Sequence, residues 1–219
     1  MVAFILEEIS CFAKLPDDLR QEVEKIARPI SLRKGAILFS PGEPARGFYA
    51  VLEGAIRVYR VSGKGKMITL EIVGPGSTFA EGSLFSDSYH CYAEALKDSK
   101  ICLITRDGFR ETIKGNARFS YEWIRVLSTE IINLRQRIEE ISLRSPKERI
   151  ISYLIMLADM QKATRVTLPS LRRAIATLLN MTPETFYRTV NELEKEGLIQ
   201  LDGQEVDIPD LSLLEALLE

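Results

Sequence analysis

From residue 29 to residue 104 the apolar side chains never settle into a helical period. They come in short runs: Ile30 and Leu32, Ile37 and Phe39, Phe48-Tyr49-Ala50-Val51, Ile56 with Val58 and Tyr59, then Met67, Ile68, Leu70 and Ile72. Lys34-Gly35, Pro41-Gly42-Glu43-Pro44, Glu53-Gly54, Ser62-Gly63-Lys64-Gly65 and Gly74-Pro75-Gly76 separate them. Glycine admits positive φ and proline pre-sets a turn angle, so each cluster reverses the chain. Short runs with turn signals every 8–12 residues or so predict an antiparallel barrel or jelly roll. Tyr92-Ala93-Glu94-Ala95-Leu96 and Lys100-Ile101-Cys102-Leu103-Ile104 add two strands. Ahead of them, Phe79-Ala80-Glu81-Gly82-Ser83-Leu84-Phe85 reads as a short helical turn.

On either side the period changes. Residues 5 to 27 read as short helices, one opening at Leu15-Pro16-Asp17-Asp18, with Asp17 or Asp18 as its cap and Leu19, Val23 and Ile26 as its apolar stripe. From Arg106 onward the pattern is helical again. Ile124, Leu127, Ile131, Leu134, Ile138 and Ile141 recur at spacings of three and four, among Arg125, Glu130, Arg135, Arg137, Glu139 and Glu140. That is the seam of a two-stranded coiled coil. A long helix covering the sheet of its own chain has the same pattern. Both hold if the seam meets a second copy while Trp123 faces the barrel. Ser145-Pro146 ends this helix, and Ser145 caps the next, over residues 147–160. The expected architecture is therefore α+β: an antiparallel barrel domain over 1–115, a long seam helix over 116–144, and a third unit over 145–219.

In that third unit, Leu171, Ile175, Leu178 and Leu179 fall at helical spacing, and a break follows at Asn180-Met181. A second helix starts at once. Thr182 is a good N-cap, Pro183 suits the first helical position, and Glu184 sets a carboxylate in the positive first turn. Phe186, Val190, Leu193 and Leu198 continue the apolar stripe, and Gly197 is a stop signal. Two such helices around so short a turn make a helix-turn-helix. Next, Leu198-Ile199-Gln200-Leu201, Asp202-Gly203 and Glu205-Val206-Asp207-Ile208 read as a hairpin with an Asp-Gly turn. Together these segments form a winged helix.

Glu184 and Arg188, four residues apart, share one face, flanked by Thr185 and Tyr187. Arg grips O6 and N7 of guanine while Glu accepts from N4 of cytosine, so a single G·C pair can occupy both. The same two residues also suit an intrahelical ion pair worth about 0.2–0.5 kcal/mol. Their place after a capped turn, with Arg172 and Arg173 on the preceding helix to meet phosphates, favours DNA.

Bulk charge gives no help. The formal net charge is -2, and residues 143–200 carry only nine Lys and Arg against six Asp and Glu. Attraction to phosphate must come from placement on one face. Cys11, Cys91 and Cys102 stand far apart, with no CxxC pair, which points to reduced structural thiols rather than a zinc or iron–sulfur site. His90 is the only histidine, so a His-based triad within one chain is excluded. Paired acid and base groups, a phosphate-cradling glycine loop and a nucleophile–base spacing are all missing, so an enzyme is not expected. A small-molecule-binding protein without DNA function is the competing class. The start, MVAFILEEIS, is too short and acidic for a signal peptide, and no apolar run approaches the ~18 residues of a membrane helix. Cytoplasmic residence without membrane association is the expectation.

The order of strand-rich barrel, seam helix, capped hinge and winged helix resembles the CRP/FNR superfamily of bacterial transcription regulators. The likeness spans nearly the whole chain. It rests most on Thr182-Pro183-Glu184-Thr185-Phe186-Tyr187-Arg188, the Pro41-Gly42-Glu43-Pro44 turn, Phe79 to Phe85, and Leu52-Glu53-Gly54. It implies a homodimer joined by its long helices, an effector site in the barrel, a near-palindromic duplex as target and RNA polymerase as partner. Glu184 and Arg188 match the family's base-reading Glu and Arg. The implied effector positions are Phe79, Ala80, Glu81, Tyr89, His90, Leu134 and Arg135. Cyclic-AMP-binding members carry Gly-Glu and then Arg-Ser around the phosphate. Here Ala80-Glu81 and Tyr89-His90 stand there, and Leu134-Arg135 replaces the adenine-binding Thr-Ser pair. The missing arginine disfavours cyclic AMP, and the solitary Cys11 excludes the N-terminal iron–sulfur cluster. Phe79-Ala80-Glu81 and the Pro183–Phe186 helix start look closest to the nitric-oxide and nitrosative-stress branch. Some of that branch is haem-associated, and His90 is the only imidazole able to ligate haem iron, with Cys91 beside it and Cys11, Cys102 and the five methionines as other candidates, although a lone His in a turn is commonly just solvated. An apolar or anionic small molecule in the barrel, or no ligand at all, is the alternative.

Overall fold

The computed structural model describes residues 6–13, 15–169 and 171–218. The first five residues, and with them the expected helix start at residue 5, lie outside the described residues. Two compact units emerge. One comprises the chain up to Lys66 and Leu70–Ile132; the other comprises Met67–Thr69 and the chain from Asn133 on.

The first unit begins with α1 (Ser10–Ala13) and α2 (Asp17–Ile26). Pro16 occupies the N-cap of α2 without a side-chain cap. Asp17 and Asp18 lie inside its first turn, where they favour the helix dipole, and Asp17 pairs with Arg20. Strands β1 (Ala27–Leu32), β2 (Ile37–Phe39), β3 (Gly47–Glu53), β4 (Ile56–Val61), β5 (Met67–Val73), β6 (Thr78–Phe79), β7 (Tyr92–Ala95) and β8 (Ser99–Thr105) follow. They form two four-stranded sheets, ordered β1-β8-β3-β6 and β2-β7-β4-β5, with antiparallel pairing throughout the described ladders. Pro29 falls on β1, an edge strand, where a missing ladder donor is tolerated. Only glycine fits at Gly54: its φ is 97°, and a Cβ would lie 2.2 Å from Ser99 Oγ and 2.7 Å from the Asp98 carbonyl oxygen.

Strand β3 explains why its apolar run is unbroken. Its Tyr49 and Val51, opposite Leu103 and Ile101 of β8, face the interior of the jelly roll with Phe39, Ile56, Val58, Phe79, Tyr89 and Ala93. Phe48 and Ala50, opposite Ile104 and Cys102, face a second core built with Leu6, Phe12, Leu19, Val23, Phe109, Phe119 and Trp123. A strand buried on both faces cannot alternate apolar with polar. The helical layer over it continues through α3 (Arg106–Gly115) and α4 (Ala117–Leu143). Asn116 Oδ1 accepts from the Phe119 N–H at 3.0 Å, which starts α4. Trp123, only 5% exposed, packs against Phe12, Phe48 and Phe109, as its expected barrel-facing role requires.

In the second unit, the end of α4 is followed by α5 (Pro146–Gln161), β9 (Arg165–Thr167), α6 (Arg172–Leu178), α7 (Pro183–Lys195), β10 (Gln200–Asp202), β11 (Glu205–Asp207) and α8 (Leu211–Ala216). Helix α5 opens on a full capping box. Ser145 Oγ accepts from the Glu148 N–H, and Glu148 Oε2 accepts from the Ser145 N–H at 2.6 Å. Ile151, Leu154, Ile175, Phe186, Val190, Leu193, Ile199 and Val206 are buried in this unit. The hairpin turn sits one residue later than its sequence suggests. Asp202 pairs with Glu205, so the two-residue loop is Gly203-Gln204, with Gly203 at φ 59° in the first loop position. β9 joins the sheet beyond β11, in the order β10-β11-β9. Among the described residues no helix is long and apolar enough to cross a membrane.

Candidate nucleic-acid interface

Helix α6 ends because the chain enters the left-handed region at Asn180, φ 52°. The Met181 N–H reaches the Ala176 carbonyl at 3.0 Å and the Asn180 N–H reaches the Thr177 carbonyl at 3.2 Å, which closes a Schellman turn. The carbonyls beyond it have no helical donors of their own and are taken by arginines. Arg149 Nη1 of α5 donates to Leu179 O at 2.7 Å and Asn180 O at 3.2 Å, and Arg137 Nη2 of α4 donates to Leu178 O at 3.3 Å. Thr182 Oγ1 then accepts from the Thr185 N–H, and Pro183 opens α7. Phe186, Thr189, Val190 and Leu193 are buried, so the opposite face of α7 is fixed outward. Lys147 Nζ, at 2.6 Å from Glu196 Oε2, ties the far end of α7 to α5.

The outward face holds the expected reading groups. Glu184, Tyr187 and Arg188 are exposed, Tyr187 lies edge-on to Phe186, and Thr185 shares a hydrogen bond with Thr182. Arg188 leans forward: its Nε is 4.0 Å from Glu192 Oε1 rather than back on Glu184. Both members of that contact are solvated, and exposed pairs of this kind hold a side chain by at most about 1 kcal/mol. Arg173 is exposed on α6. Arg172, expected on phosphates, is instead committed to the wing, where its guanidinium donates to the Gly203 carbonyl. A carbonyl in a tight turn with no ladder donor is the nearest strong acceptor for it. The wing is acidic, with Asp202, Glu205 and Asp207 on its strands. Glu205 accepts from Thr167 Oγ1 at 2.8 Å and pairs with Arg165 at 3.5 Å.

Of the expected effector residues, Phe79 and Tyr89 belong to the jelly-roll core. Tyr89 stacks on Phe39 with centroids 3.8 Å apart, and its hydroxyl shares a 3.0 Å hydrogen bond with Tyr49. That hydroxyl also accepts from the Arg46 N–H and donates to Gly47 O at 3.1 Å. Phe79 is fully buried beside Tyr49. Ala80 sits at φ 67°, a strained position for a residue with a Cβ. Glu81 begins a 3-10 turn, Glu81–Phe85, and burial pushes its carboxyl up from 4.5, with a Thr78 hydrogen bond opposing and Glu130 of α4 reinforcing. Burial pushes the Cys11 thiol up to about 12, with Thr78 opposing and the Glu81 charge adding to it, so the thiol stays protonated at neutral pH. His90 is exposed and shares a 3.0 Å hydrogen bond with Ser86 Oγ. Leu134 and Arg135 are exposed on α4.

Because the Glu81 carboxyl is raised in the folded state, protonation favours folding. Its contribution is complete below its ordinary value of 4.5 and is lost as pH rises through the raised value. Glu81→Gln should therefore be more stable than the parent at about pH 8 and lose that advantage towards about pH 5. Urea titrations at the two pH values check this; a constant difference contradicts it.

The seam residues divide. Leu127 packs partly into the helical core, and Ile141 is half-buried. Ile124, Ile131, Leu134 and Ile138 are exposed, Ile138 by 64%. Tyr121 and Ile132 are exposed too, outside the expected seam.

Two family models match the chain: "Cyclic nucleotide-binding domain" over residues 29–116 and "Crp-like helix-turn-helix domain" over residues 148–217. The transcriptional activator protein anr of Pseudomonas aeruginosa is 27% identical over 198 residues, covering 88% of this chain and 80% of that protein. The transcriptional regulator SdrP of Thermus thermophilus is 26% identical over 201 residues, covering 89% and 96%. FixK2 from Bradyrhizobium japonicum has the same fold at a TM-score of 0.78 and 23% identity, covering 88% of this chain and 97% of that one.

Proposed function

The chain belongs to the CRP/FNR family of transcription regulators, and from that premise we propose that it works as a homodimer reading a near-palindromic duplex in the cytoplasm, with RNA polymerase as its partner. The observation that carries the reading is the exposed pair Glu184 and Arg188 on a helix whose other face is buried. Two copies place two such helices on half-sites about one helical turn apart, each read at a G·C pair. The test is selection of duplexes from a randomised pool at fixed salt. A palindrome with G·C at matched positions supports it; binding indifferent to sequence overturns it.

The second copy is supported by the exposed apolar stripe of α4. With Ile124, Ile131 and Ile138 at a and Leu127, Leu134 and Ile141 at d, Glu130 falls at g and Arg135 at the next e. A parallel pair then sets each Glu130 against Arg135 of the partner subunit. Ile131→Glu should sediment as a monomer and lose affinity for the selected palindrome on the order of 100-fold, because linked half-sites supply that much avidity. A dimer of unchanged stability contradicts the seam.

Effector control resides in the barrel in this reading, and the effector is not a cyclic nucleotide. Tyr89, at the position where the resemblance sets the phosphate-binding arginine, is packed on Phe39 and bonded to Tyr49 and Gly47, so that position offers a cyclic phosphate no guanidinium of its own. For haem, an exposed His90 sharing its hydrogen bond with Ser86 favours a solvated imidazole over an axial ligand, which leaves Cys91, Cys11, Cys102 and the methionines as the remaining candidate ligands. Cyclic AMP should leave DNA affinity unchanged, and added haem, with or without nitric oxide, should give no histidine-ligated visible spectrum. A saturable response to either restores that class.

A further inference from the structure

The geometry points to Arg137 as the residue that carries the state of the dimer seam into the reading head. This rests on the dimer reading above. Arg137 is on α4, one residue before the seam position Ile138, and its guanidinium donates to the Leu178 carbonyl at the end of α6. Both partners lie in the second compact unit. Leu178 is the last residue of α6 and directly precedes the Schellman turn that aims α7. Arg149 holds the next two carbonyls, Leu179 and Asn180, from α5. The turn is thus held by Arg149 from within the head, by Thr69 Oγ1 at 2.5 Å from Thr177 Oγ1, and by Arg137 from the seam helix, and of these the grip from α4 answers directly to seam packing.

Heptad position separates Arg137 from its neighbour along the seam. Glu130, one heptad earlier at g, meets Arg135 of the partner subunit across a parallel pair. Arg137, also at g, comes opposite Ser142 of the partner subunit, which has no charge to offer. Within its own chain its guanidinium donates to Leu178. A hydrogen bond from a charged donor to a helix-end carbonyl is directional, so rotation of α4 about its axis lengthens or restores it. Tight seam packing fixes that rotation. Arg137 is a positioning residue: it touches no base in this scheme and acts through the turn.

The test is hydrogen exchange of the 172–182 segment in the full-length chain, for the parent, Arg137→Met, Ile131→Glu and the double variant. Arg137→Met should keep the dimer by sedimentation and raise exchange of that segment several-fold. Ile131→Glu should raise it by a similar factor, and the double variant should go no higher than either single one, since both break the same link. Arg137→Lys, which keeps a donor, should recover part of the protection. Additive effects, an unchanged segment in either single variant, or loss of the dimer in Arg137→Met would each overturn the proposal. Failure of the parent to select any duplex would instead sink the DNA reading, and the exchange cycle would still decide this one.

Discussion

Replacing Arg188 with alanine lowers affinity for the selected duplex by about 1–3 kcal/mol, roughly ten- to a hundredfold, and erases preference at one base pair. The loss falls on specificity because a guanidinium bonded to both guanine acceptors has no equivalent on the other bases. It does not fall on folding. Arg188 is exposed and its ion-pair contact with Glu192, at 4.0 Å, is solvated, so thermal unfolding should hardly shift. If both residues read one pair, as proposed, Glu184→Ala should relax the same base pair from its other strand. Binding curves on the selected duplex and its single-base variants, at one salt concentration, check both substitutions. If Arg188→Ala weakens every sequence equally, Arg188 is a phosphate contact and the base-reading assignment fails.

Phe48→Ala should destabilise the first unit by about 3–5 kcal/mol, the range for emptying a buried phenylalanine site. Phe48 is fully buried, with ring centroids 6.2, 5.0 and 5.3 Å from Phe12, Phe109 and Trp123. It is the side chain through which β3 meets the helical layer. That loss is a large part of the 5–15 kcal/mol typical of a domain. Trp123, the only tryptophan, stands beside the cavity and makes urea unfolding readable by fluorescence. Phe85→Ala, at a side chain 69% exposed, should move stability by less than about 0.5 kcal/mol. Equal effects at the two positions would mean that the helices do not pack on β3.

What could be read in the sequence was local. Turn glycines, the Ser145 and Thr182 caps and the stops at Asn180 and Gly197 act within a few residues of themselves, and each marks an element the structure contains. The two-sided burial of β3 showed as an unbroken apolar run, and the outward direction of Glu184 and Arg188 followed from the buried residues around them. What escaped was non-local. β9 has three residues with only Val166 buried, and it becomes a strand through pairing with Val206, far along the chain. Arg172 had two attractive acceptors, a phosphate and a distant turn carbonyl, and nothing in its neighbourhood said which it takes. Arg137 and Arg149 read as ordinary surface charge, because their acceptors are backbone atoms at the end of another helix. Tyr89 was placed at an effector position by likeness alone; its stacking on Phe39 shows only when the two sheets close.

The acidic wing has a consequence for how the regulator finds its target. If α7 docks on a duplex as proposed, the hairpin's Asp202, Glu205 and Asp207 bring no cations to displace condensed counterions, so the salt dependence of binding should be shallower than for a regulator with a lysine-rich wing.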